Sequence, residues 1–211
     1  VIPAGRRPAL STFTFRIRLP QSDFVARTKT IGPDEIHAAL DRLAAGVSAR
    51  HPAPDKLLLL GIANGGVEVA RRLASRLFAR NSSRAARAGT LDISFHRDDI
   101  GRNPIPKELV PTHIPADVNG ADVVLVDDVL FTGRTVKAAL DELFDHGRPA
   151  RVELAVLIDR GGRRLPVAAD YAGLTLSAPD GEKIVVRLDS ADPARDVIRI
   201  EAGPAKSKTA L

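Results

Sequence analysis

The sequence predicts an α/β protein, a parallel sheet flanked by helices with a small hood or edge β region. Three observations predict it. Short unbroken apolar runs, KLLLLGI (56–62), DVVLV (122–126) and VELAVLI (152–158), have the length of strands covered on both faces. Segments with helical spacing lie between them, and strands alternating with helices imply right-handed crossovers within one parallel sheet. Each run is followed by a polar or glycine cluster, where an open parallel sheet binds its ligands.

The elements follow in order. Residues 1–29 read as a basic N-terminal extension, with Arg6, Arg7, Arg16, Arg18, Arg27 and Lys29 against Asp23, and only TFTFRIRL (12–19) alternates enough for a short edge strand. In IGPDEIHAALDRLAAGV the residues Ile36, Leu40, Leu43 and Val47 recur at helical spacing, and Pro33 sits where a first turn tolerates it. KLLLLGI is the first core strand. NGG (64–66) then turns into a helix expected to bury Val67, Ala70, Leu73, Ala74, Leu77 and Phe78.

TLDISF (90–95) supplies the second core strand, DVVLV the third and VELAVLI the fourth; TVKAALDELFDHG is the helix between the last two, ended by Gly147. The segment from His96 to Ala116, with four prolines and many charges, reads as a long surface loop of the kind used as lids. After Asp159, KIVVRL (183–188) and VIRIE (197–201) are β-like pieces of a hood or edge hairpin. The organisation expected is an extension over 1–29, one domain over 30–201 and a frayed tail over 202–211.

Composition narrows the chemistry. The 211 residues include no Cys, which removes disulfides, thiolate metal sites and a cysteine nucleophile. Five His without paired spacing argue against zinc. No run approaches the roughly 18 apolar residues of a membrane span, and the start has no secretory apolar core, so a soluble cytoplasmic protein is expected. A net charge of +5 attracts polyanions, and it is equally the look of a solvated arm.

The chemistry concentrates in VVLVDDVLFTGRT (123–135), where an apolar strand runs into Asp127 and Asp128 and then into Thr132, Gly133, Arg134 and Thr135. Gly133 permits close backbone approach, the threonines offer hydroxyls, and the following helix begins with unpaired N–H groups whose dipole favours an anion. Such a turn suits a phosphate. Carboxylates cannot bind phosphate directly, but neighbouring acceptors suit a vicinal diol such as a ribose, so a ribose 5-phosphate satisfies both halves.

The other strand ends offer Ala63-Asn64-Gly65-Gly66, Arg97-Asp98-Asp99 and Asp159-Arg160-Gly161. A P-loop NTPase would require G-x-x-x-x-G-K-[ST], which the chain lacks. A phospho-receiver domain would place its acids near the first strand and a lysine after a late one, and neither is found.

At these residues the sequence resembles the type I phosphoribosyltransferases, whose diphosphoribose-binding signature is an apolar strand, two acids and a T-G-x-T turn. More narrowly, LDISFHRDDI, DDVLFTGRTVKAALDELFDHGRPA and VELAVLIDRGGRRLPVAADY resemble the PyrR family of pyrimidine operon attenuation regulators, which double as uracil phosphoribosyltransferases. The similarity spans roughly Thr30 to Glu201. It implies a type I phosphoribosyltransferase-like fold and the reaction of 5-phosphoribosyl 1-diphosphate (PRPP) with uracil to give UMP and diphosphate. It also implies UMP-dependent binding of pyrimidine operon leader RNA and a homo-oligomer, dimer or higher, with no membrane partner.

By the same resemblance Asp127, Asp128 and Arg97 are catalytic. Asn64, Gly65, Gly66, Arg97, Asp98, Asp99, Asp127, Asp128, Thr132, Gly133, Arg134 and Thr135 bind PRPP, and Asp159, Arg160 and Gly161 read the base. Mg²⁺ enters mainly with PRPP, with Asp98 and Asp99 as further ligands. Arg163 and Arg164 are the RNA-binding candidates.

Two departures from the family stand out. The first-strand loop, Thr-Arg before its final glycine in the family, is Asn64-Gly65-Gly66 here, which removes a guanidinium able to grip diphosphate. At the RNA face, Asp41, Ala45, Ala168 and Leu174 replace polar or basic positions. The alternatives are therefore a nucleotide-binding regulator with little turnover, and a phosphoribosyltransferase that salvages another base without binding RNA.

Overall fold

A computed structural model of the chain describes residues 30–52, 56–80, 87–96, 110–179 and 181–202. Five parallel strands form the central sheet: β2 (Leu57–Ile62), β3 (Arg87–Leu91), β4 (Asp122–Leu130), β5 (Arg151–Asp159) and β6 (Tyr171–Thr175), in the order β3-β2-β4-β5-β6. β1 (Thr30–Ile31), β7 (Glu182–Arg187) and β8 (Val197–Ala202) make a separate antiparallel sheet in the order β1-β8-β7. This is the hood that the β-like pieces after Asp159 foreshadow.

Among the described residues, three helices cover the parallel sheet. α1 (Pro33–Arg50) starts with Pro33 in its first turn and buries Ile36, Leu40, Leu43 and Val47, the stripe that the spacing predicts. Full burial of each such side chain contributes about 1.5–3 kcal/mol, an upper figure for a chain already compact when unfolded. α2 (Gly65–Arg80) shares that face through Val69, Ala70, Leu73 and Leu77. On the other face, α3 (Arg134–Asp145) packs Val136, Ala138, Ala139 and Leu143 against Leu58, Leu60, Val123 and Leu125.

The order β3-β2-β4 makes the gap between β2 and β4 the point where chain winding reverses, because the connection from β2 leads one way and the chain from β4 runs the other. Right-handed crossovers then put α2 and α3 on opposite faces. Doubly wound sheets bind ligands in a crevice beyond the carboxyl ends of the strands at such a switch point, here β2 and β4.

Three expectations need correction. Phe78, expected inward, is half exposed, while Val69 and Arg72 are buried instead. The inward stripe of α2 is rotated towards Arg72 because that guanidinium finds an acid on the hood. The second core strand spans Arg87–Leu91 rather than 90–95, since beyond Leu91 the Asp92 carboxylate accepts the Ser94 N–H at 2.9 Å and turns the chain out of the sheet. A fifth parallel strand, β6, arises from YAGLT, where no strand is expected.

Candidate active site

Two glycine-dependent approaches close the crevice around β4. At Gly66 a Cβ would run into the Val126 carbonyl, so α2 can start only where the backbone is bare. At Gly65 a Cβ would fall within the contact distance of all three terminal atoms of the Asp128 carboxyl group. The first-strand loop and the acidic pair, more than 60 residues apart in sequence, therefore share one surface. In that loop Ala63 N–H donates to the Leu91 carbonyl at 2.9 Å, and the Ala63–Asn64 peptide is cis.

The acids are withdrawn from water. Asp127 is buried and its Oδ1 accepts the Asp128 N–H at 2.9 Å; Asp128 Oδ1 accepts the Val129 N–H at 2.7 Å. Burial, then the adjacent Asp128 charge, pushes the Asp127 carboxyl well above the usual carboxylate range. Asp128 is also raised by burial, against the opposing pull of the Val129 N–H. A proton, ligand hydroxyls or a cation at the two carboxyls would relieve the repulsion of adjacent anions.

The 132–135 turn leads directly into α3. Gly133, at φ 91°, sits in the left-handed region and caps α3, and a Cβ there would meet Val167. Thr132 Oγ1 accepts the Arg134 N–H at 3.4 Å. The first N–H groups of a helix have no partner within it, so this end of α3 points donors at the crevice.

Residues after β5 form the opposite wall. Asp159 ends the strand, and its Oδ1 accepts the Gly161 N–H at 2.8 Å. Arg160 lies 3.9 Å over the Phe131 ring and donates to the Glu182 carbonyl of the hood at 2.9 Å. Both side chains are thus engaged internally, and so is much of the backbone: the Arg160 N–H donates to the Leu130 carbonyl at 3.0 Å, and the loop bends by positive φ at Gly161 and Gly162.

Asn64, Gly65, Gly66, Asp127, Asp128, the 132–135 turn and the 159–161 loop are all found at the carboxyl ends of β2, β4 and β5. Arg97, Asp98 and Asp99 lie outside the described residues. Of the RNA candidates, Arg164 is exposed, whereas Arg163 turns inward. Asp41 on α1 pairs with Arg76 of α2 at 2.9 Å. Among the described residues there is no group of three or more His, Cys, Asp or Glu able to hold a metal ion, and no helix is long and apolar enough to cross a membrane.

Sequence reasoning missed the latch that carries the hood. Asp196, almost fully buried just before β8, accepts from Arg72 Nη1 and Nη2, from the Asp189 N–H at 2.9 Å and pairs with His37 Nε2 at 3.0 Å. It also missed Phe131 as the platform for Arg160. Neither has a local signal, because each partner lies on a distant element.

The phosphoribosyl transferase domain family matches residues 32–191. The Bifunctional protein PyrR of Streptomyces coelicolor is 47% identical over 85% of this chain and 92% of its own length. The chain belongs to the PyrR family. The Bifunctional protein PyrR of Chloroflexus aurantiacus is 44% identical, over 80% of this chain and 92% of its own. In fold, this PyrR-family chain is similar to the hypoxanthine phosphoribosyltransferase of Trypanosoma cruzi, with a TM-score of 0.58 and 20% identity over 81% of this chain and 94% of that one. A hypoxanthine-guanine phosphoribosyltransferase of Bacillus anthracis gives 0.60 and 18%, over 83% and 99%. At such low identity the structures establish the type I phosphoribosyltransferase fold and nothing about the base.

Proposed function

We propose that the protein transfers the phosphoribosyl group of PRPP to uracil, giving UMP and diphosphate, and that it regulates pyrimidine operon transcription in the cytoplasm by UMP-dependent binding of leader RNA. The observation that carries the transfer reading is the meeting of Gly65 with Asp128, which joins the first-strand loop, the acidic pair and the 132–135 turn into one crevice. The name of these relatives, Bifunctional protein PyrR, supports the pairing of an activity with regulation.

Each part of the substrate has a matching wall. The 5-phosphate takes the turn at Thr132 to Thr135, where N–H groups and hydroxyls converge at the start of α3. The ribose hydroxyls donate to Asp127 and Asp128, which relieves the burial and mutual repulsion that raise both carboxyls. Backbone N–H groups of Asn64 to Gly66 face the diphosphate, and Arg97, Asp98 and Asp99 take the lid role. Uracil lies against the loop of Asp159 to Gly161.

In the reaction the bond from the anomeric carbon to diphosphate breaks, its electron pair leaving with diphosphate, while a uracil ring nitrogen bonds that carbon and gives up its proton to solvent. Positive charge develops on the ribose beside the acids, so the protein acts mainly by placing reactants and fixed charges. The oxygen donors of Asp127 and Asp128 fit a hard cation, with Asp98 and Asp99 as further donors. Mg²⁺ bound with the diphosphate supplies charge neutralisation of the leaving group.

A second reading, a nucleotide-binding regulator with little turnover, is favoured by one observation: the first-strand loop ends in glycines and offers no guanidinium. Assaying PRPP with uracil, orotate, hypoxanthine and guanine in parallel separates these readings. UMP formation from uracil alone supports transfer to uracil; nucleotide from a purine would assign another base; tight PRPP binding without product would assign the regulator. Leader RNA titrated with and without UMP at stated salt tests the second activity, and binding indifferent to UMP would remove it.

A further inference from the structure

The loop after β5 and the strand end that leads into the 132–135 turn are joined more closely than sheet pairing requires. Beyond the Leu130 to Asp159 register, the carbonyls of Leu130, Phe131 and Thr132 are each taken by a donor from residues 160–165. Backbone N–H groups serve the outer two: Arg160 donates to Leu130 at 3.0 Å, and Arg164 and Leu165 donate to Thr132 at 3.0 and 3.1 Å. The Phe131 carbonyl between them is reached by a side chain, Arg163, whose Nη1 lies 2.9 Å away.

The same Nη1 approaches the Leu130 carbonyl at 3.1 Å and the Gly161 carbonyl at 3.2 Å, while Nη2 pairs with Asp159 at 2.6 Å. One guanidinium thus touches the last residue of β4 and the residue after it, the last residue of β5 and the glycine that bends the loop. Phe131 completes the joint, since Arg160 covers its ring and Gly162 packs so close that a Cβ would strike the ring edge.

We propose that Arg163 is a positioning residue for phosphoribosyl transfer: it locks the phosphate turn and the base loop into one body, fixing the distance between the 5-phosphate and the base. The inference rests on reading the crevice as the PRPP site. It assigns Arg163 to the reaction, in addition to the RNA face that the family resemblance implies. A planar fork with several N–H donors can serve carbonyls and a carboxylate together; a lysine is a single point of charge and cannot span them. A misplacement of about 1 Å between reacting groups lowers rate by roughly a hundredfold, so loss of this joint reaches the chemistry without touching substrate.

The test uses the full chain with Arg163→Gln, Arg163→Lys and Arg163→Ala. Steady-state kinetics with PRPP and uracil are followed together with hydrogen exchange of the peptide covering 129–137 and leader RNA affinity. The expected result is a fall of about tenfold or more in kcat/KM for both substrates, faster exchange at the turn and no recovery in Arg163→Lys. Added guanidinium ion should partly restore Arg163→Ala, which a general loss of folding would not permit. Unchanged kinetics and exchange, or a fall confined to RNA affinity, would overturn the proposal. If the wild-type protein neither binds PRPP nor forms UMP, the reading of the crevice fails, and exchange at 129–137 still decides whether the clamp exists.

Discussion

Gly65 and Asp128 touch across the gap between β2 and β4, the first helical residue of α2 lying against a carboxylate of the acidic pair. Neither loop is a site alone. Their contact joins a loop of backbone donors to a pair of acceptors, and it exists because residue 65 has no side chain.

A methyl group at that position must displace the Asp128 carboxylate. Gly65→Ala should therefore lower kcat/KM for PRPP by roughly tenfold, equivalent to about 1.4 kcal/mol of lost transition-state interaction. Gly32→Ala is the matched control, because a Cβ there meets nothing within 4 Å, and its kinetics should equal those of the wild type. Equal kcat/KM in the two variants would detach Asp128 from the reaction.

The buried Asp127 carboxyl is held at a cost to the free protein. Its folded pKa is raised, so its contribution to stability is complete below the unfolded value near 3.9 and is lost as pH rises towards the folded one. Asp127→Asn keeps an oxygen for the Asp128 N–H and removes the charge. Free Asp127→Asn should melt a few degrees above the wild type at pH 7, at about 2–4 °C per kcal/mol for a chain of this size. The gap should close as pH falls to about 4, while PRPP turnover drops tenfold or more. A melting curve lower than wild type at neutral pH would refute the assignment of burial as the source of the raised pKa.

The parts of this fold that were legible are those whose signal is local. VVLVDDVLFTGRT carries its strand, acids and turn within thirteen consecutive residues, and α1 carries its own stripe. What escaped depends on remote partners. Arg72 looks like a solvated helical charge until Asp196 of the hood pairs with it, and that pairing rotates the buried face of α2 away from Phe78. β6 has one strongly buried position, Gly173, fitted between the Leu157 carbonyl and Ala39, so it lacks the apolar run by which a core strand is read.

The Arg72–Asp196 pair should prove critical for the hood. Both groups are buried, and removing one member of such a pair leaves an uncompensated charge, at about 3–5 kcal/mol. Arg72→Met should lower the melting temperature by roughly 10 °C, by the same size scaling. The double variant Arg72→Met with Asp196→Leu should recover much of that loss, because an apolar pair needs no compensation. A double variant no more stable than the single would place the energy in the Asp189 and His37 contacts instead.

At the opposite end of the sheet Glu153 interrupts the apolar run of β5 and is almost fully buried. Burial by itself raises its pKa, but hydrogen bonds from His51 and Tyr171, the His51 charge and Arg50 outweigh burial and hold the carboxyl below the usual range. The bonds are short, 2.8 Å to His51 Nε2 and 2.7 Å to the Tyr171 hydroxyl, whose own pKa is raised by burial and by the Glu153 charge. A depressed folded pKa contributes stability that is present above the unfolded value, near 4.3, and is lost as pH falls through the folded one. Glu153→Gln should therefore be less stable at pH 7, by about 3 kcal/mol, and lose less on acidification than the wild type. Chemical denaturation at pH 7, 5 and 3.5 reads both effects, and a wild-type acid limb no steeper than that of Glu153→Gln would show that the carboxylate's partners contribute nothing to stability.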